Sequence, residues 1–209
     1  MPPVTGIVLA GGESSRFGRP KWKARLAGKT LLERAAGVLL SWCDEVLVVG
    51  RAGVLADVAS LGKQARFVED LPLGRGPLVG LATGLEASRG GLSAVVACDM
   101  PFADAGLLQY LSRLARGYDA VIPQVEGQAQ PLHAVYHRRC LGPMKAALAS
   151  GVRAPTDFLR DGGLRVRYVP HDELRARTSE PEPFLSVNSV RDLRRARDRL
   201  RRWNAAQRT

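Results

Sequence analysis

The apolar positions of this chain fall into two alternating rhythms. Gly6-Ile-Val-Leu9 and Asp44-Glu-Val-Leu-Val-Val49 are short, β-branched runs that predict buried strands. Gln64–Glu69 predicts a third strand, less apolar and so nearer a sheet edge. Ser93-Ala-Val-Val-Ala-Cys98 predicts a fourth. Between them, Leu32, Ala35, Ala36, Leu39 and Leu40 recur at helical spacing, as do Leu78, Leu81, Ala82 and Leu85. A short helix is expected over 54–61. Asp104 is a candidate N-cap for a helix over 107–115, with Gly117 as its C-cap. Strands alternating with helices in this way predict βαβ units, right-handed crossovers and a mainly parallel sheet.

The rhythm changes after Gly117. Tyr118–Pro123 and Leu132–Tyr136 are expected as strands joined by the polar segment 124–131, with no helix between them, which predicts an antiparallel addition. Helices are expected over 141–149 and 155–160, a half-exposed strand over 164–169 and a short last strand over 184–187. Val190, Leu193, Ala196, Leu200 and Trp203 mark the inner stripe of a final helix whose outer side is arginine-rich. The expected architecture is α/β: a Rossmann-like three-layer fold with a mainly parallel sheet plus an antiparallel addition. It is a single domain over 1–209, with the change of rhythm dividing it into halves 1–117 and 118–209.

Composition narrows the function classes. With 209 residues, 45% hydrophobic and 24% charged, the chain can bury a sizeable core. No apolar run approaches a membrane span, and the first residues lack the pattern of a signal peptide. Cys43, Cys98 and Cys140 are scattered and odd in number, so reduced thiols and a cytoplasmic location are expected. The formal charge of +11 fits nucleic acid, anionic lipid or a phosphorylated substrate. Interleaved aspartates in the last helix, and the lack of a nucleic-acid motif, favour a solvated outer face there.

Candidate chemistry gathers at the ends of strands. The loop Leu9-Ala-Gly-Gly-Glu-Ser-Ser-Arg-Phe-Gly-Arg-Pro-Lys21 has neither the dinucleotide G-x-G-x-x-G spacing nor the Walker A Gly-Lys-Ser/Thr ending. A glycine-rich segment after a strand can be only a turn. With Arg16 and Lys21 in the same loop, it also suits a polyphosphate, because glycines admit close backbone approach and the cations offset charge. Asp70 and Asp99 end two other strands and so face the same carboxyl rim. Asp99 can cap the next helix or hold Mg²⁺, which takes one or two carboxylates plus phosphate oxygens. His133, His137 and His171 show no ligand pattern and are read as packing residues.

Along the chain run the blocks Leu9-Ala-Gly-Gly12, Ser15-Arg-Phe-Gly18 with Lys21, Glu69-Asp70, Gly76–Leu81, Cys98-Asp-Met-Pro101, Gln130-Pro-Leu-His-Ala134 and Val187-Asn188. As a set, they resemble the molybdenum cofactor guanylyltransferases of the nucleotidyltransferase superfamily, with the nucleotide-diphospho-sugar transferase type of fold. The resemblance implies transfer of GMP from GTP to molybdenum-molybdopterin with release of pyrophosphate. It implies nucleotide contacts from Leu9, Ala10, Gly11, Gly12, Lys21, Asp70 and Asp99, and catalytic roles for Arg16, Lys21 and Asp99. Asp99 would hold Mg²⁺, and Gln130, Pro131 and Asn188 would face the pterin. Enzymes that deliver or accept the cofactor are the implied protein partners.

Two departures stand out. Gly18-Arg-Pro-Lys21 has the Gly-x-Pro-Lys form more usual in the related cytidylyltransferases, whereas Ala10-Gly-Gly12 is the guanine-associated form. Asparagines common after the second strand and near Ser186 are replaced. The alternatives are a CTP-dependent or sugar-phosphate nucleotidyltransferase, and a non-catalytic, basic nucleotide- or nucleic-acid-binding protein.

Overall fold

A computed structural model describes residues 3–11, 17, 20–178, 180 and 182–206. The alternating apolar runs become the strands of one sheet. These are β1 (Val4–Leu9), β4 (Glu45–Gly50), β5 (Ala65–Glu69), β6 (Leu92–Ala97), β7 (Ala120–Val125), β8 (Gln128–Ala129), β9 (His133–His137) and β10 (Val166–Pro170). A separate two-stranded hairpin holds β2 (Arg25–Leu26) and β3 (Lys29–Thr30). The helices are α1 (Leu31–Leu40), α2 (Leu55–Val58), α3 (Pro77–Ala87), α4 (Ala105–Arg113), α5 (Leu141–Ala149), α6 (Pro155–Asp161), α7 (His171–Arg175) and α8 (Val190–Ala206).

The main sheet runs β10-β7-β9-β6-β1-β4-β5, with β8 paired to β7. Among the main strands of that path only β9 runs against its neighbours, and it is wedged between β6 and β7. The less apolar β5 is the edge strand, as its composition predicts. The segment 124–131 is more ordered than a polar loop. Glu126 and Gly127 take φ of 50° and 78°, the two positive values of a type I′ turn, and close β7 onto β8.

Because side chains alternate across a strand, each central strand feeds two cores. Val8, Val46, Val48, Ala94 and Val96 face α1, α2 and α4. Ile7, Leu9, Leu47, Val49 and Val95 face α3, α5 and α6. This gives the three layers expected from the sequence. Helix α3 packs so closely on the central strand that a Cβ on Gly84 would meet Ile7 Cγ2 at 2.7 Å.

Between the glycine-rich loop and α1 lie a turn at Lys21–Lys23 and the β2–β3 hairpin. The α1 N-terminus is satisfied by its own Thr30–Glu33 capping box. Residues 184–187 form no strand. The Val187 N–H donates to Asp99 O at 2.8 Å, and the side chain is buried with Phe17, Leu26, Phe102 and Leu193. Val190 stands 47% exposed, outside the stripe expected for α8, and the helix docks through Leu193, Ala196 and Leu200.

The start of α4 is fixed by Asp104, whose Oδ1 accepts from the Leu107 N–H at 2.8 Å. The helix therefore begins at Ala105, ahead of the expected 107. No helix among the described residues is long and apolar enough to cross a membrane.

Candidate functional site

Parallel strands all end on the same side, so β6, β1, β4 and β5 open onto one rim. A cleft of about 910 Å³ lies there. Its walls include Leu9–Gly11, Lys21, Trp22, Arg51, Glu69–Leu71, the loop Gly74–Pro77, the first turn of α3, Ala97–Asp99 and Leu132.

The backbone following β1 is pinned from both sides. The Ala10 N–H donates to Val49 O at 2.8 Å, and the Cys98 N–H donates to Leu9 O at 3.0 Å. Beside it sits the Asp70 carboxylate. A Cβ on Gly11 would stand 3.0 Å from Asp70 Oδ2, and one on Gly80 would stand 3.5 Å from Oδ1. Glycine at 11 is thus what lets the carboxylate lie against the main chain. Burial raises the Asp70 pKa; the Arg51 guanidinium pulls it back and Glu69 pushes it up. Asp70 is therefore a half-buried acceptor directed into the cleft.

At the other end of the cleft, Lys21 Nζ donates to Asp99 Oδ2 at 2.9 Å and to Asn188 Oδ1 at 2.8 Å. Asn188 is held in turn. Its Nδ2 donates to Ser186 Oγ at 3.0 Å, and its N–H donates to Asp192 Oδ2 in the first turn of α8. The structure thus brings together Leu9, Ala10, Gly11, Lys21, Asp70 and Asp99 in one cleft, with Asn188 bonded to Lys21.

Gln130 and Pro131 lie elsewhere. The Gln130 N–H donates to Pro123 O, and Pro131 O accepts from the Tyr136 hydroxyl, so both belong to the β7–β9 connection that leads to the cleft residue Leu132. Gly12 and Arg16 lie outside the described residues.

Trp22, Arg51 and Arg75 also line the cleft and were not singled out from the sequence. Arg51 directly follows β4 at the rim, so counting strand-end positions flags it. Trp22 follows Lys21, and its indole N–H donates to Asp57 Oδ2 at 3.0 Å, which fixes the ring as part of the wall. Cys98 lies beside Asp99, but burial lifts its thiol pKa to about 12, which makes it a poor nucleophile at neutral pH.

No group of three or more His, Cys, Asp or Glu side chains placed to hold a metal ion occurs among the described residues. The single carboxylate of Asp99 fits a metal that arrives with a phosphorylated ligand, since Mg²⁺ takes phosphate oxygens alongside one carboxylate.

A carboxyl-rim cleft with a pinned glycine backbone at one end and a lysine–aspartate pair at the other defines a nucleotide-handling α/β protein. Residues 6–166 match the MobA-like NTP transferase domain, and the chain belongs to that family of nucleotidyltransferases. It is 36% identical over 197 residues to a probable molybdenum cofactor guanylyltransferase of Pelotomaculum thermopropionicum, covering 94% of this chain and 93% of that one. A protein of the same description from Bacillus licheniformis is 36% identical over 194 residues, covering 90% and 93%. Among solved structures, the molybdopterin-guanine dinucleotide biosynthesis protein A of Archaeoglobus fulgidus superposes with a TM-score of 0.78. It is 30% identical, and the match covers 95% of this chain and 99% of that one.

Proposed function

We propose that this enzyme transfers GMP from GTP to molybdenum-molybdopterin, forming the guanine dinucleotide cofactor and pyrophosphate. The observation that carries the reading is the two-ended cleft, with an acceptor carboxylate at Asp70 and a cation–carboxylate pair at Lys21–Asp99. Asp70 and the backbone of Leu9–Gly11 suit a nucleoside, whose exocyclic and ring N–H groups need acceptors and whose ribose needs a close-fitting wall. Lys21 suits the triphosphate, with Arg16 as a second cation from the same loop.

The reaction is an in-line displacement. An oxygen of the pterin's terminal phosphate forms a bond to the α-phosphorus, and the bond from that phosphorus to the bridging oxygen breaks. Pyrophosphate departs with the electron pair. The protein's part is positioning and stabilisation of developing charge. Asp99 would hold Mg²⁺ together with phosphate oxygens, and the metal supplies neutralisation of the triphosphate. Lys21 is held by Asn188 as well as by Asp99, which keeps its ammonium where it would meet the phosphates.

In this reading residues 1–117 bind the nucleotide and 118–209 the acceptor, with Gln130, Pro131 and Asn188 toward the pterin. The enzyme works in the cytoplasm, where its three buried, unpaired cysteines stay reduced. Enzymes that supply molybdenum-molybdopterin and accept the dinucleotide would be its partners.

The test is an assay of purified protein with MgCl₂, molybdate-loaded molybdopterin and each of GTP, CTP, ATP and UTP. Guanine dinucleotide and pyrophosphate should form with GTP. Use of CTP with GTP ignored would overturn the guanine assignment.

A further inference from the structure

The cleft contains a charge pair that the phosphate end does not account for. The ladder between β4 and β5 pairs Gly50 with Glu69, and the Asp70 N–H donates to Gly50 O at 3.0 Å. Arg51 and Asp70 are therefore the next rung, carried past the strand ends onto the rim, and both line the cleft. The Asp70 carboxylate lies inward against Gly11 and Gly80, and Arg51 is exposed beside it. The two are close enough that the guanidinium counters the burial of the carboxylate. Arg51 makes no hydrogen bond or ion pair to another side chain among the described residues.

The position of this pair sets its role. The rim order is β6-β1-β4-β5. Asp99 follows β6, so Arg51 lies two strand spacings away and Asp70 three, about 10 and about 14 Å. That is the base end of a nucleotide whose phosphates lie at Lys21. An arginine placed there is poorly sited for the triphosphate and well sited for a base edge.

Guanine offers two acceptors, O6 and N7, on one edge and two donor groups, N1–H and N2–H₂, on the adjoining edge. An arginine next to a carboxylate is the complementary pair. Adenine presents a donor at N6 and an acceptor at N1, reversing both matches. A pyrimidine has no second ring to offer the N7 acceptor.

We propose that Arg51 is a specificity residue for the nucleobase, its guanidinium donating to O6 and N7 of guanine while Asp70 accepts from N1–H and N2–H₂. This rests on the GTP reading above and adds to it the side chain that selects the base. Arg51 reads the purine edge and Asp70 the amidine edge, so each can be interrogated with its own nucleotide analogue.

The experiment measures dissociation constants of GTP, 7-deaza-GTP and ITP for the unsubstituted protein and for Arg51→Met by calorimetry. The unliganded melting temperature serves as a check that the exposed substitution leaves the fold intact. In the unsubstituted protein, 7-deaza-GTP, which lacks the N7 acceptor, should bind about tenfold more weakly than GTP. Arg51→Met should weaken GTP by about tenfold or more and bind GTP and 7-deaza-GTP alike. The penalty for ITP, which lacks the N2 amino group, should be the same in both proteins.

Unchanged GTP affinity in Arg51→Met would overturn the proposal. So would a general weakening that keeps the 7-deaza penalty, which is the behaviour of a phosphate contact. Failure of the unsubstituted protein to bind GTP would overturn the guanine reading itself and this proposal with it. That outcome is visible before any variant is made.

Discussion

Lys21 and Asn188 stand 167 positions apart in the chain and share a 2.8 Å hydrogen bond. The same ammonium reaches Asp99 at 2.9 Å. The first loop and the segment before the last helix therefore meet on one cation. Asn188→Ala removes an acceptor from that cation and leaves the ion pair in place. We expect turnover to fall about tenfold, the scale of one hydrogen bond to a charged group. Asp99→Ala should cost 10²-fold or more, on the order of losing a charge-stabilising group. Pyrophosphate release under saturating GTP checks the ranking, and equal losses in the two variants would contradict it.

Asn188 is held by how α8 docks. Leu193 is 3% exposed and packs with Phe17, Leu26, Phe102 and Val187. Leu193→Ala should lower stability by about 2–5 kcal/mol, the range for a buried leucine truncated to alanine. Because Asn188 lies two residues ahead of the helix and bonds to its Asp192, activity should fall at temperatures well below the melting transition. Urea titration and an activity–temperature profile measure the two effects. A variant that loses stability and keeps full activity below its transition would show that the helix does not position the site.

Gly11 tests the nucleoside end. The Cβ of Gly11→Ala would lie 3.0 Å from Asp70 Oδ2, tighter than ordinary contact, so the carboxylate must turn away. We expect weaker GTP binding with little change in melting temperature, because Gly11 is exposed and lies past the end of β1. Calorimetry on the variant decides it: wild-type affinity would show that Asp70 need not keep its place.

His133 gives a pH-dependent term. It is fully buried, its Nδ1 lies 3.1 Å from Pro183 O, and its ring packs on Phe184. Its Nε2 has no hydrogen-bond partner among the described residues. Burial dominates and lowers the pKa from 6.5 to about 4. The unfolded chain then takes up a proton below about pH 6.5 that the folded chain refuses until about pH 4, so stability falls as pH falls across that window. The loss approaches about 3 kcal/mol at its lower end. His133→Phe should flatten this part of the pH–stability curve relative to the unsubstituted protein. Parallel curves for the two proteins would rule the histidine out.

Much of the site could be read from the chain because it is built from strand ends. The runs ending at Leu9, Glu69 and Cys98 are short and bounded, and a parallel sheet carries all three to one rim. Gly11, Asp70 and Asp99 follow from that topology alone. The β2–β3 hairpin could not be read this way. Its strands are two residues each, too short for any period. The segment 184–187 has strand-like residues, yet Val187 is spent in a side cluster and its N–H on Asp99. The partnership of Lys21 with Asn188 left no local trace, since nothing in either segment names the other. Arg51 carries no local signal of its own, because its significance lies in register with Asp70 on the next strand.

Ribosomal synthesis runs from residue 21 to residue 188 before the ammonium of Lys21 can find its second acceptor. The sheet through β6 and its covering helices can be assembled while the chain is still being made. The phosphate end of the cleft cannot be completed until Val187, Asn188 and the docking turns of α8 have emerged and closed over Phe17 and Leu26. A nascent or prematurely truncated chain would thus hold much of the nucleoside pocket and lack the clamp on its lysine. Competence waits for residues 187–200 because of the order in which the parts of one site are strung along the polypeptide.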